Sequence, residues 1–203
     1  MRIASVLALA SAIAASAGIA AAETVCLEAE AAGALEAPVA IAVIPTNSPL
    51  PATIHKDASG GMYIEISQGK GNPPAVTNGE ASYSFAVSNS AEYVLWCRVW
   101  WEDECGNSLS ILLDDGKPFV FGEDSTFKCW HWIQAPKRLK QLILNPGRHS
   151  MRIRNREDGV AIDQILFTDD RKYVPVGVEN AAKAPPAATN APPAADRKEQ
   201  GTK

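Results

Sequence analysis

The chain has 203 residues, 46% of them hydrophobic and 21% charged, enough apolar material for one folded body of ordinary size and too much for a chain disordered throughout. Lys and Arg number 19 against 23 Asp and Glu, a formal charge of -4, which argues against a dedicated nucleic-acid binder with its basic face. Four Cys without a C-x-x-C spacing argue against a zinc ribbon or a thioredoxin-type centre.

Residues 1–22 read as a secretory signal peptide. Arg2 gives a short positive start, Ile3 to Ile19 is apolar and small, and Ala20-Ala21-Ala22 before Glu23 matches a small-x-small cleavage site. The residues before Cys26 lack the pattern that precedes a lipidated cysteine, so the reading is export, secreted or periplasmic, with no membrane association after cleavage. Period-two alternation then predicts strands at 24–29, 62–67, 81–87, 92–100, 108–113, 130–134, 141–144, 149–154 and 161–168. In 92–100 both faces carry large side chains, the mark of a central strand, and Trp96 reads as core. The stretch 31–56 is too apolar for a solvated loop and too rich in proline for a central strand, so it should drape over the body with one short strand near 39–44. Asp115-Gly116, Asn145-Pro146-Gly147 and Asp158-Gly159 read as hairpin turns. From Asn180 to Lys203, eight Ala and four Pro without hydrophobic period predict a disordered tail. The fold class is therefore all-β, an antiparallel sandwich over 23–179. That body keeps 14 basic against 21 acidic residues once Arg2 and the tail are set aside.

Four stretches occur in the order of a known family: Leu27-Glu28-Ala29-Glu30, Ala58 to Ile64, Tyr93 to Trp100, and Arg156 to Ile165. On these the body resembles the galactose-binding-like jelly-roll modules of carbohydrate-binding module families six and thirty-five. The resemblance runs from Leu27 to about Gly177. It departs in the longer 31–56 stretch and in the lack of an accompanying catalytic domain.

The resemblance implies a fold whose first and last strands meet, and with it a structural calcium. Glu28 and Glu30, two apart on a strand, would share a face, and Asp163 would join them from the last strand. Calcium takes six to eight oxygens at about 2.3–2.6 Å. On the residues alone, Glu28 and Glu30 could equally face water while Asp163 caps a turn. The resemblance also implies a glycan site in the loops at one end, where Asn155 stands at the family's asparagine. A sugar needs a flat aromatic surface and a few fixed donors and acceptors. Trp100, Trp101, Trp130, Trp132, Asn107, Asn155, Arg156 and Glu157 supply those types. One of Trp100 and Trp101 must point inward, Trp130 and Trp132 could both be core, and Asn155 could simply hold a turn.

Cys105 and Cys129 fall in the two loops proposed as the rim, and a bridge between them would tie the rim together. Cys26 and Cys97 would then pair or stay free and buried, and four Cys leave three connectivities open. Nothing in the sequence pairs a nucleophile with a base: there is no H-E-x-x-H, no G-x-S-x-G and no phosphate loop. The sequence reads as a non-catalytic, exported glycan-binding domain. The alternative is a protein-interaction or structural module on the same sandwich, reaching a protein partner through its tail.

Overall fold

The computed structural model describes residues 21–46, 55–73, 75–136 and 142–181. These hold β1 (Thr24–Glu28), β2 (Ala34–Glu36), β3 (Ala40–Val43), β4 (Met62–Ile66), β5 (Glu80–Val87), β6 (Ala91–Trp101), β7 (Ser108–Leu113), β8 (Phe119–Gly122), β9 (His131–Gln134), β10 (Leu142–Leu144), β11 (Gly147–Arg154) and β12 (Val160–Thr168). All pairings are antiparallel. One sheet follows the order β10-β6-β12-β4-β3, with β1 also on β12 and β9 also on β6; the other follows β2-β5-β11-β7-β8. The expected antiparallel sandwich is what the chain forms, and the first and last strands pair from Thr24↔Thr168 to Glu28↔Gln164.

Alternation sets the core. Leu95, Cys97, Val99 and Trp101 of β6 meet Tyr83, Phe85 and Val87 of β5 and Met151 and Ile153 of β11, all buried. Every residue of β12 is buried, and strands flank it on both edges. One of those edges is shared: β4 pairs with Val160 to Ile162, and β1 pairs with Gln164 to Thr168. Between them, opposite β6, the register slips by a bulge at Asp163. That seam brings the termini of β1 and β4 to one point.

Three expectations change. The described residues of the 31–56 stretch form two strands, and they join different sheets, β2 on β5 and β3 on β4. β8 pairs with β7 in a hairpin across Asp115-Gly116, but the turns at 145–147 and 158–159 carry the chain from one sheet to the other. Trp96 lies opposite Leu166 and is only partly buried, on the face of β6 away from the core. The leader up to residue 20 and the tail from 182 fall outside the described residues.

Candidate functional site

The outer face of the larger sheet is aromatic. Trp96, Arg98 and Trp100 project from β6 by alternation with the core residues, and Trp132 pairs with Arg98 from β9 on the same face. Trp130, just before β9, stands edge-on to Trp100 at 5.9 Å and to Tyr63 at 5.5 Å between ring centroids. Its Nε1 donates to the Lys56 carbonyl at 2.6 Å, and the Arg98 guanidinium lies 5.3 Å from its ring. His55 stacks on Trp100 at 4.3 Å with an interplanar angle of 22°. Trp132 donates its Nε1 to the Gly177 carbonyl at 2.9 Å, so the segment after β12 crosses this face.

Trp101 is the exception among the five tryptophans: it is 0% exposed in the sandwich interior. It is therefore not a ligand contact, and the inward member of the Trp100-Trp101 pair is settled. Trp130 and Trp132 are only partly buried, Trp130 packing against the second buried cluster of Ala42, Tyr63 and Ala161, and their indole N–H groups are already engaged by backbone carbonyls.

Beside this face a cleft of about 290 Å³ opens where β4 and β6 end and β12 begins, lined by His55, Glu65, Ile66, Ser67, Gln68, Glu102, Gly159 and Val160. Ile66 and Val160 are paired neighbours and give it an apolar floor. Glu65 accepts from Ser67 Oγ at 2.7 Å, and Glu102 lies 3.2 Å from the Lys128 ammonium. Burial holds the His55 pKa below its ordinary value against the opposing pull of Glu102, so the ring is neutral and offers one donor and one acceptor. Gly159 has φ +74°, and a side chain there would strike Gln68 Oε1, 2.2 Å from where its Cβ would stand. Only glycine keeps this corner open.

The predicted polar rim lies elsewhere, and most of its polar groups are engaged within the chain. Glu157 accepts from the Asn107 backbone N–H at 3.1 Å and from Ser108 Oγ at 2.5 Å. Arg156 donates to Ser108 Oγ, to Glu157 at 2.5 Å and to Glu123 at 3.4 Å. Asn107 donates its amide to the Asp124 carbonyl at 3.0 Å. Asn155 donates to the carbonyls of Val76 and Asn78 at 3.2 and 3.0 Å, the turn-holding role, although its Oδ1 is buried without a partner. None of these four side chains lines the cleft. None of His55, Glu65, Gln68 and Glu102 is among the residues the sequence singles out. No spacing signal joins residues from three separate strand ends.

At the seam on β12 the charges of Glu28 and Asp163 both act on Glu30. Glu28 ends β1, whereas Glu30 stands in the single 3-10 turn that follows, so the two do not share a strand face as the spacing suggested. Asp163 is fully buried; its Oδ1 accepts from the Ser59 N–H at 2.7 Å and its Oδ2 from Arg98 at 2.5 Å. Glu28 Oε1 accepts from Ser59 Oγ at 2.8 Å and from Gln164 Nε2 at 3.1 Å. Glu28 Oε2 and Glu30 Oε2 are buried and accept no hydrogen bond. Burial, then the charges of Glu28 and Asp163, push the Glu30 pKa up to about 7. Among the described residues no three His, Cys, Asp or Glu are grouped to hold a metal ion, and Asp163 is paired with Arg98. The two orphaned oxygens are nevertheless of the kind a hard cation satisfies.

All four cysteines are free. Cys105 and Cys129 are exposed and unbonded, which corrects the expected rim bridge. Cys26 lies opposite Leu166 and Cys97 opposite Ile165, neighbours whose side chains leave β12 on opposite faces, so Cys26 and Cys97 cannot pair.

No protein-family model matches the chain. No curated protein matches it. Among solved structures it is similar to a Podospora anserina GH26-CBM35 β-(1,4)-mannanase, at 17% identity and TM-score 0.53 over 75% of this chain and 29% of that one. It is also similar to the Arthrobacter globiformis T6 isomalto-dextranase complexed with panose, at 12% identity and TM-score 0.52 over 71% and 23%. A family 35 carbohydrate binding module from Clostridium thermocellum aligns at 13% identity and TM-score 0.49 over 71% and 97%. The chain spans less than a third of either enzyme chain. At these identities the first two likenesses establish the fold.

Proposed function

We propose that this chain is an exported, non-catalytic carbohydrate-binding domain whose saccharide site is the cleft between His55, Glu65, Gln68 and Glu102. The observation that carries the reading is the composition of that cleft: an apolar floor, an aromatic wall of His55 backed by Trp100, and carboxylate, amide and hydroxyl groups around it. A sugar ring presents apolar C–H faces edged by hydroxyls, and this lining offers a counterpart to each. The two enzymes that share the fold are named for action on carbohydrate, which agrees with the reading. Stacking here is assigned to His55, with Trp100 supporting it from behind.

A structural calcium is part of the proposal. Glu28 and Glu30 would hold it through their unpartnered oxygens, and its charge would offset the excess of carboxylate at the seam. Ligand that binds only the folded state raises its stability, by about 2.7 kcal/mol at a hundred times Kd. Calcium should therefore raise Tm by several degrees and a chelator should reverse it; melting curves that coincide with and without calcium would remove the ion from the proposal.

The site is tested by a glycan array followed by calorimetry on the saccharide that binds. His55→Ala and Glu102→Gln should each weaken binding about tenfold, the loss of one aromatic contact or one charged hydrogen bond. A silent array, or full affinity in both variants, would overturn the cleft assignment.

A further inference from the structure

At the far end of the sandwich from the cleft, residue 23 is held on every side. Its backbone N–H donates to Asp169 Oδ1 at 2.7 Å, and its carbonyl accepts from the Asp169 N–H at 3.1 Å. Its carboxylate accepts from the N–H groups of Ser88 and Asn89 in the β5–β6 turn, and from the Tyr93 hydroxyl at 2.5 Å. These contacts lower the Glu23 pKa against the desolvation that opposes them. The Asn89 amide closes the ring by donating to Asp169 Oδ2 at 2.9 Å. The residues just before it are exposed, and Ala21 contributes one contact, its carbonyl to the Asn89 amide at 3.1 Å. The change from exposed to held chain between Ala22 and Glu23 therefore falls at the end of the small-x-small motif of Ala20-Ala21-Ala22.

We propose that this ring is a receptor for a processed amino terminus: hydrolysis between Ala22 and Glu23 frees an α-ammonium that forms an ion pair with Asp169. The reaction adds water across one amide. The C–N bond breaks, the hydroxyl passes to the Ala22 carbonyl carbon, and a proton goes to the Glu23 nitrogen, which takes another from solvent. The enzyme is a leader peptidase acting on exported chains, so the inference rests on export but not on sugar binding. Cleavage turns a neutral amide donor already 2.7 Å from a carboxylate into a cationic one, and charge-assisted bonds are the stronger kind. The groups facing the new ammonium are acidic or neutral: Asp169, the Glu23 carboxylate, the Tyr93 phenol and the Asn89 amide. Arg171, close by in sequence, is engaged by Glu92.

Expression of the full chain in an exporting host, with intact mass of the exported product, is the first test. The product should begin at Glu23; one beginning elsewhere, or keeping its leader, overturns the proposal. The second compares a chain beginning at Glu23 with one that retains Ala21 and Ala22. The shorter should melt about 2–4 °C higher at pH 7. An α-amino group titrates near about 7.7–8.0 when unpaired, and pairing with Asp169 raises that value. The increment is thus complete below about pH 7.5 and lost as pH rises through the folded value. Asp169→Asn and N-acetylation of the shorter chain should each abolish it. Coincident melting at pH 7, or an increment that survives acetylation, overturns the receptor whether or not any glycan binds.

Discussion

The two sheets share one core and one alternation, yet their outer faces are opposites. The larger carries Trp96, Trp100, Trp130 and Trp132 with Arg98 among them. The smaller carries Ser82, Ser84 and Ala86 of β5 facing Arg152, Ser150 and Arg148 of β11, with Arg154 paired to Glu80 at 2.7 Å. Short polar side chains and exposed ion pairs make a face that water covers well, whereas clustered indoles make one that something else must cover. Here the chain itself covers much of it, through the Lys56 and Gly177 carbonyls bound to Trp130 and Trp132. The cleft beside it is the part left open. Large side chains on a sheet are thus not enough to mark a binding surface; what matters is which of them the chain leaves uncovered.

The largest effect expected from this contrast separates two adjacent tryptophans. Trp101→Ala empties an interior position and should cost about 3–5 kcal/mol in denaturant unfolding. Trp100→Ala removes a partly buried ring from the outer face and should cost clearly less stability while weakening saccharide binding through His55. Equal destabilisation by the two would show that the outer aromatic layer is a second core and not a support for the cleft.

The same contrast sorts the arginines. Arg98 is buried and paired with the fully buried Asp163, and removing one partner of such a pair leaves an uncompensated charge, at about 3 kcal/mol or more. Arg152→Ala, on the smaller sheet, removes a half-exposed side chain 3.9 Å from Glu80 and should cost under about 1 kcal/mol. Comparable losses from Arg98→Ala and Arg152→Ala would mean that the seam on β12 is wetter than its burial implies.

Much of this arrangement was legible in the residues. Alternation located β5, β6, β11 and β12 within a residue or two, because a sandwich strand exposes its period directly. β2 and β8 escaped: three residues give no period, and Phe119 to Phe121 reads as an apolar run of ambiguous type. The family resemblance groups Glu28, Glu30 and Asp163 but gives no sign of the Arg98 pair, because that pair depends on a bulge that turns Asp163 and Gln164 toward the same neighbours. The expected glycan rim and the proposed cleft lie in different places for a related reason. Asn107, Asn155, Arg156 and Glu157 are polar residues in loops, and a sequence cannot distinguish a side chain that waits for a ligand from one that fastens a turn. The cleft residues come from the ends of β4 and β6 and from His55, which only the folded chain assembles.

The smallest expected effect lies near the start of β11, the middle strand of the smaller sheet, where His149 Nδ1 meets Asp114 Oδ2 at 2.8 Å and Nε2 faces the Asn145 carbonyl at 2.8 Å. Burial works against the charged imidazole, but Asp114 and the Asn145 carbonyl outweigh it and the His149 pKa is raised above its usual 6.5. For Asp114 burial is likewise outweighed, by His149 and the Ser150 N–H, and its pKa is lowered below its usual 3.8. A raised histidine pKa adds stability that is complete below about 6.5 and fades as pH climbs through the folded value. A lowered carboxylate pKa adds stability that is present above about 3.8 and fades as pH falls through its folded value. The pair should therefore contribute most between about pH 4 and pH 6.5, and under about 1 kcal/mol because Asp114 is 43% exposed and screened. Asp114→Asn keeps an acceptor for the Ser150 N–H and removes the charge. The stability difference between it and the native chain should peak in that window and shrink on both sides, and a flat difference from pH 4 to pH 9 would mean that the imidazole is held by packing on Phe85 rather than by charge.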